Sequence, residues 1–361
     1  MGAALRFAPL VGAVVVVNLL GDPAKILNED SYADGVAGIL ARGESAVNVS
    51  NLNERLLQKK YVSKLTRRPD VVVIGSSRAM QIGRTSLGLT CVLHNSAVSG
   101  ADLADDMAIY GLYRLQKAIP KTVILGVDPW VFNAGLGKTR AYLSLSDSYI
   151  SILAAENAAL PSDPLLRLSL IKFQLKKYLQ LISPSYFQAS LRSLSSGSGR
   201  NAYFSAPDSF DSSNALIRSD GSYRYDAAFR SQTLESVSRS AVQYAREKDV
   251  YNLYSFSSIS SELREHFEDF VGLMRSDGVR VVLFLPPYHP AVYPELISRP
   301  DTKIIMEVEA YVRKFAADND LLLVGSYAPA PMKMAGTDFY DGMHLKPEAI
   351  RIIFSKSLYC R

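Results

Sequence analysis

The stretch that decides the fold is residues 70–78, DVVVIGSSR. Its Val-Val-Val-Ile run is typical of a parallel strand buried on both faces, because such a strand has no solvent-facing side for polar residues. Gly75 ends the run, and Ser77 follows where the chain must turn into a helix. A serine at such a turn lies among free backbone N–H groups that can stabilise an oxyanion. A serine that merely caps a helix fits the same pattern, so both interpretations are open at this point.

Four further apolar runs predict strands, and helical patterns lie between them. The predicted strands cover 91–95, 122–127, 279–285 and 321–325. The predicted helices cover 102–117, 258–276, 302–319 and 347–357. Strands that alternate with helices require crossover connections, and these build a parallel sheet with helices on both faces. The fold class is therefore predicted to be α/β, a five-stranded, doubly wound, flavodoxin-like sheet.

The N-terminal segment predicts a membrane anchor. Residues 3–20 are apolar except for Arg6 and Asn18, and at 1.5 Å per residue they would extend about 27 Å, close to the hydrocarbon thickness of a bilayer. We expect a single-pass, uncleaved anchor over residues 1–21, with Arg6 on the cytoplasmic side and the folded domain outside the cytoplasm. A cleaved signal peptide and a buried element of a cytosolic domain are the alternatives. Residues 22–69 are then a juxtamembrane stalk with one helix at 51–65.

A long insertion is predicted between the third and fourth strands, at residues 134–257. It contains helical patterns at 163–182 and 227–248, a Ser/Gly tract at 193–199 and many Tyr and Phe residues. The insertion is either a helical subdomain with these rings as its core, or a lid whose rings stack on sugars or rest on a membrane. The α/β domain accordingly covers residues 70–361, interrupted by this helical insertion.

The composition narrows the classes of function. The chain has 361 residues, 48% of them hydrophobic, which excludes a disordered protein. A net charge of +5 without a basic cluster gives no reason to expect a nucleic-acid partner. With two cysteines and four histidines, we expect neither a metal site nor a cofactor. Cys91 and Cys360 could form a disulfide in an oxidising compartment, although the sequence does not fix their distance.

A second motif, Asp341-Gly342-Met343-His344, stands just before the predicted C-terminal helix. An aspartate and a histidine three residues apart on one loop can serve the same serine. The histidine takes the hydroxyl proton, and the aspartate fixes the tautomer and stabilises the imidazolium.

Together, Gly75-Ser76-Ser77 and the Asp341-to-His344 motif resemble the SGNH/GDSL hydrolase superfamily. The resemblance covers roughly residues 70–358 without the insertion. It is strongest to the membrane-anchored, extracytoplasmic branch that contains the teichoic-acid D-alanyl-transfer and alginate O-acetylation proteins. It implies that Ser77 is the nucleophile and that Asp341 and His344 are the other two members of a catalytic triad.

The resemblance also implies an oxyanion hole. Its candidate donors are the backbone of Ser77, Gly100 and the side chain of Asn95. Where the family has Gly-x-Asn, this chain reads Gly-Val-Asp, which places Asp128 at the third donor position. An ionised aspartate accepts hydrogen bonds and cannot donate one, so Arg78 or Asn95 is expected to compensate.

Two residues are candidates for substrate binding, Arg78 and His289, because both follow strands at the carboxyl end of the sheet. His94 follows the second strand and could line the same pocket. The implied activity is acyl transfer on cell-envelope polysaccharide hydroxyls by a Ser-His-Asp mechanism, as an O-acyltransferase or an acyl esterase. The implied partners are the bilayer, a membrane-bound O-acyltransferase and the polysaccharide.

Two alternatives come from other classes. One is a catalytically silent glycan-binding or scaffold subunit of an O-acylation complex, in which Asp128 marks a lost oxyanion hole. The other is a cytosolic nucleotide-binding enzyme, which is disfavoured because no G-x-G-x-x-G or Walker motif follows any predicted strand.

Overall fold

The computed structural model describes residues 2–22, 29–136, 139–156, 179–195, 203–247 and 250–354. The strands in this part of the chain are β1 (Ser45–Val47), β2 (Val71–Ile74), β3 (Leu93–Asn95), β4 (Thr122–Gly126), β5 (Phe204–Ala206), β6 (Leu216–Ile217), β7 (Tyr223–Arg224), β8 (Arg280–Leu285) and β9 (Leu322–Gly325). The α-helices are α1 (Gly2–Gly21), α2 (Glu29–Ala41), α3 (Glu54–Ser63), α4 (Arg84–Leu87), α5 (Leu103–Leu115), α6 (Thr139–Ala155), α7 (Pro184–Ser195), α8 (Ala227–Arg230), α9 (Leu234–Ala245), α10 (Ser261–Ser276), α11 (Tyr293–Ser298), α12 (Ile304–Asp318) and α13 (Pro347–Phe354).

The central element is a parallel five-stranded sheet with the order β3-β2-β4-β8-β9. Each strand coincides with one of the five predicted apolar runs, so the predicted α/β class and parallel sheet are confirmed. The strand order places β2 and β4 at the middle of the sheet. The chain therefore leaves β2 at its carboxyl end, where a parallel α/β sheet offers a crevice for ligands.

Helices cover both faces of this sheet because successive strand residues point to opposite sides. On one face, alternate residues such as Val72 and Val281 join a large core cluster with α5, α10 and α12. On the other face, Val73 and Phe284 join a second cluster that includes Ile350 of α13. The strands are thus buried on both sides, as their continuous apolar runs predict.

The segment between α1 and β2 is not the predicted stalk. Tyr32, Val36 and Leu40 of α2 are buried in the large core cluster, together with Leu57 of α3. The predicted helix at 51–65 is present as α3. β1 joins a second, antiparallel sheet of order β5-β1-β6-β7, whose other strands come from the insertion. The segment therefore belongs to the folded body, because its apolar residues are needed to complete the core.

The N-terminal helix α1 packs against α7 of the insertion. The Asn18 amide donates to the carbonyl of Leu181 at 2.8 Å, and the Tyr186 hydroxyl donates to Asp22 at 2.7 Å. A Cβ on Gly21 would collide with Ser190, so the two helices approach closely at this glycine.

Across the described residues, we find no helix with the length and apolar character needed to cross a membrane.

The insertion is mixed rather than wholly helical, since β5, β6 and β7 lie within it. The predicted helix at 227–248 is present as two helices, α8 and α9. Asp226 caps the first and Thr233 caps the second, which breaks the helical run between them. Most of the predicted helix at 163–182 and of the Ser/Gly tract at 193–199 lies outside the described residues.

Candidate active site

The serine turn begins where β2 ends. Gly75 has a φ of +145°, and a Cβ there would approach Gly126 of β4 within 3.1 Å, so a larger residue does not fit. The Ser76 hydroxyl then accepts from the Arg78 amide at 3.2 Å and starts a short 3₁₀ helix, Ser77–Ala79. Ser77 is therefore the first residue of a tight turn at the carboxyl end of a central strand.

The loop before α13 is held by its own aspartate. One carboxylate oxygen of Asp341 accepts from the amides of Met343 and His344, each at 2.8 Å. The His344 carbonyl accepts from the amide of Tyr340 at 2.8 Å. The Gly342 carbonyl accepts from the backbone amide of His289, which follows β8, at 3.0 Å. These bonds fix the loop against the sheet and leave the second Asp341 oxygen for the histidine ring.

The structure brings Ser77, Asp341 and His344 together, although they are separated widely in the chain. Nδ1 of His344 lies 2.7 Å from Asp341 Oδ2, and Nε2 lies 2.9 Å from Ser77 Oγ. An ionised Asp341 can only accept, so Nδ1 carries the proton and Nε2 is free to accept from the serine hydroxyl. This is the tautomer that a general base toward Ser77 requires.

The electrostatics favour an ionised Asp341. Burial opposes its charge, but electrostatic attraction to the His344 ring and the hydrogen bonds from His344 and Met343 outweigh that cost. The net result lowers the pKa of Asp341 below its usual value.

Two backbone amides at the site are free to donate. Among the described residues, no hydrogen bond uses the amide N–H of Ser77 or of Gly100. Gly100 has a φ of +59°, and both residues line the same cavity. The Gly100 loop is held by Ser99, whose hydroxyl donates to Glu54 at 3.0 Å. Two unpaired backbone amides therefore belong to residues that line the cavity containing the Ser77 hydroxyl.

Arg78 and Asp128 form a buried ion pair beneath the serine turn. Their Nη1 and Oδ1 atoms are 2.9 Å apart, and both side chains are almost fully buried. Arg78 also donates to the carbonyl of Pro286 and lies 4.0 Å from the ring centre of Tyr288. Burial raises the pKa of Asp128, although the Arg78 charge and the Ser76 hydroxyl oppose the shift. Neither side chain lines the cavity, so their predicted roles in substrate binding and oxyanion stabilisation are corrected to a structural one.

Asn95 has no donor left for substrate. Its Nδ2 donates to the carbonyls of Ala79 and Ile82 at 2.8 and 2.7 Å, and its Oδ1 accepts from the Ala97 amide at 2.9 Å. The side chain ties the serine turn to the loop after β3, which corrects its predicted role as an oxyanion donor.

Two predicted histidines are also buried away from the cavity. Nδ1 of His289 accepts from the Ala291 amide at 3.0 Å, and its backbone supports Gly342 as described above. His289 thus supports the loop from Asp341 to His344 and does not line the cavity. His94 stacks on Tyr61 at 3.6 Å, and burial lowers its pKa to about 3, so it stays neutral.

A cavity of about 480 Å³ opens above Ser77 and His344. One wall comes from the sheet loops and the other from the insertion. The insertion contributes Phe229, Gln232, Val237, Ser240, Ala241, Tyr244, Tyr251 and Asn252. None of these residues belongs to a recognisable motif, and the only sequence signal for this wall is the abundance of aromatic residues in the insertion.

No protein-family model matches this chain, and a search of curated protein sequences found no significant match. The described residues contain no group of three or more His, Cys, Asp or Glu side chains that could hold a metal ion. Cys91 is disulfide-bonded, while Cys360 lies outside the described residues.

Proposed function

We propose that this protein is a serine acyl esterase or O-acyltransferase of the SGNH type. The observation that carries the proposal is the continuous hydrogen-bonded chain from Asp341 through His344 to Ser77, at the floor of a cavity. The free amides of Ser77 and Gly100 would stabilise the negative charge that develops on the ester carbonyl oxygen during the attack. A silent scaffold subunit would have no need of either.

The reaction proceeds in two steps. Ser77 Oγ attacks the ester carbonyl and gives its proton to His344 Nε2, while the carbonyl oxygen takes hydrogen bonds from the Ser77 and Gly100 amides. The intermediate expels the alcohol, which takes the proton from His344 and leaves an acyl ester on Ser77. Water or a sugar hydroxyl then attacks that ester, and His344 first accepts its proton and then returns a proton to Ser77.

The oxyanion hole proposed here has two donors, because Asp128 and Asn95 are both committed elsewhere. Removal of a single donor from an oxyanion hole costs about 10²–10³ in kcat. Slow hydrolysis of small activated esters is therefore expected from this site. The same slow hydrolysis would preserve the acyl-enzyme for a better acceptor than water.

We further propose that the domain works outside the cytoplasm. The disulfide at Cys91 supports an oxidising compartment. A polysaccharide of the envelope would be the acceptor, and a membrane-bound O-acyltransferase would supply the acyl group. Protease added to intact spheroplasts should digest the chain beyond residue 22, whereas complete protection would contradict this location.

The catalytic proposal is tested with a fluorophosphonate probe on the full-length protein. The probe should label wild type and fail to label Ser77→Ala, because it reacts only with an activated serine hydroxyl. Ser231→Ala, at an exposed serine outside the cavity, is the matched control and should label normally. Unlabelled wild type with an intact fold would favour the silent scaffold. Loss of labelling in Ser76→Ala, with Ser77→Ala still labelled, would move the nucleophile by one residue.

A further inference from the structure

One wall of the cavity is built on an unusual backbone. Tyr251 and Asn252 have φ values of +47° and +58°, although neither is glycine. Two consecutive non-glycine residues in the left-handed region are energetically costly, and such positions are concentrated at ligand-binding and active sites. The structure around these two residues must therefore hold them in place.

Asn133 fixes this turn from the sheet side. Its buried Nδ2 donates to the carbonyls of Asn252 and Tyr254, at 3.1 and 3.0 Å. The ring of Tyr251 packs against Tyr288 with the centroids 5.6 Å apart. Because Asn133 lies just beyond β4, the turn is positioned by the same end of the sheet that positions Ser77.

The turn directs two polar groups toward the cavity. The Tyr251 hydroxyl touches Gly342, where any Cβ would collide with it, and so lies beside the loop that carries the catalytic histidine. Burial and the charge of Asp341 raise the pKa of Tyr251, which keeps its hydroxyl protonated as a donor. Among the described residues, neither this hydroxyl nor the Asn252 amide has a hydrogen-bond partner. Both residues line the cavity above Ser77.

The chemistry of the cavity restricts the ligand. Apart from Asp341 and His344, the described lining contains no ionisable acid, lysine or arginine side chain. The polar groups of the wall are amides and hydroxyls, and the rings of Phe229 and Tyr244 lie among them. Amides and hydroxyls recognise sugar hydroxyls without a charge, while a polyanion would meet Asp341 and no cation.

Resting on the function proposed above, we infer that Tyr251 and Asn252 form the acceptor subsite and select an uncharged, hydroxyl-bearing sugar. The bound sugar hydroxyl gives its proton to His344 Nε2, and its oxygen forms the new ester bond to the acyl carbon. The bond from that carbon to Ser77 Oγ breaks, and the proton returns from His344 to Ser77. Holding the acceptor close to the ester lets it compete with water.

The test uses the full-length protein acylated with 4-nitrophenyl acetate. Deacylation is followed with no sugar, with a neutral gluco-oligosaccharide and with an oligouronate of the same length, and products are identified by mass. Wild type should deacylate faster with the neutral sugar than with the oligouronate and should release acetylated neutral sugar.

The variants are Asn252→Gly and Tyr251→Phe. Glycine removes the amide while still accepting a positive φ, and phenylalanine removes only the hydroxyl. Each should lower the kcat/KM for the neutral acceptor by about tenfold, because one hydrogen bond to the substrate is lost. The nitrophenol burst, which reports acylation of Ser77, should fall by a smaller factor. Tyr254→Phe makes the same chemical change outside the cavity lining and should retain the full acceptor effect. Thermal melting checks that every variant is folded.

Three results would overturn the inference. The first is that wild type transfers acetyl to the oligouronate as well as or better than to the neutral sugar. The second is that wild type gives a burst but the neutral sugar does not accelerate its deacylation. The third is that the neutral sugar accelerates deacylation of folded Asn252→Gly and Tyr251→Phe as much as that of wild type. Absence of any burst from wild type would remove the proposed function itself, and the acceptor subsite with it.

Discussion

Two pairs, each joining an aspartate to a basic side chain, lie at the same end of the sheet and have opposite surroundings. Asp341 and His344 face the cavity, with 35% and 16% of their side chains exposed. Asp128 and Arg78 lie beneath the serine turn, with 2% and 0% exposed. The first pair can exchange protons with a ligand, while the second can only support the backbone above it. Exposure, rather than the identity of the charged groups, therefore separates a reactive pair from a structural one.

The pKa values of the two aspartates diverge for the same reason. Burial disfavours charge on both, but Asp341 also receives hydrogen bonds from His344 and from backbone amides, which lower its pKa. Burial dominates at Asp128 and raises its pKa despite the Arg78 charge. Four substitutions or conditions should show this difference.

The largest effect is expected from His344→Ala, which removes the base from the cavity-facing pair. Turnover of an activated ester should fall by about 10⁵–10⁶, since triad members act as a unit. The melting temperature should change little because the ring is partly exposed. Steady-state kinetics and thermal melting measure both quantities. His266→Ala, in α10 and outside the cavity, is the control, and equal loss in both variants would argue against the triad.

Asp341→Asn should lower turnover by about 10⁴, because an amide in that place favours the wrong tautomer of His344. Asp318→Asn, an exposed aspartate at the end of α12 that pairs with Lys314, should have no such effect. If turnover in Asp341→Asn stays within a few-fold of wild type, Asp341 does not orient the histidine.

Arg78→Met should act on stability first. It leaves Asp128 buried without its partner, and breaking a buried pair in this way costs about 3–5 kcal/mol of unfolding free energy. Urea denaturation measures the loss. The double variant Arg78→Met/Asp128→Asn should recover part of it, because the uncompensated charge is gone. A single variant as stable as wild type would mean that Arg78 contributes nothing to the serine turn.

The smallest effect concerns pH. The Asp341 pKa is lower in the folded state than the value of about 3.9 in an unfolded chain, so its ionised form stabilises the fold. That contribution is fully present above about pH 4 and is lost as the pH falls through the folded pKa. The stability difference between wild type and Asp341→Asn should therefore shrink on acidification in a urea series from pH 7 to pH 3. A difference that grows toward low pH would reverse the assigned direction.

The sheet, the serine turn and the loop from Asp341 to His344 could be predicted because their signals are local. The β-branched run before Gly75 and the short Asp-to-His spacing each specify a structure within a few residues. The roles of Arg78, Asn95 and His289 could not be predicted, since they depend on which way a side chain points after the strand ends. Arg78 follows Ser77 directly, yet it turns beneath the sheet edge while the serine faces the cavity.

The antiparallel sheet of β1, β5, β6 and β7 could not be predicted for a different reason. Its strands have two or three residues, which is too short for an alternating pattern to be recognised. The part of the cavity wall formed by Tyr251 and Asn252 could not be predicted, because these residues are marked by their backbone angles and not by a motif. Only the enrichment of aromatic residues in the insertion indicated that this region contributes to a pocket.

The pairing of β1 with β5 also has a consequence for biosynthesis. Ser45 pairs with Ala206, so 161 positions separate the two partners along the chain. At the usual rate of about 5–20 residues per second, a ribosome takes roughly 8–30 s to make the intervening chain. During that time β1 has no strand partner, and the residues of α2 and α3 lack part of the core that later covers them. Nascent chains stalled before residue 204 should therefore engage chaperones more strongly than chains stalled after residue 224.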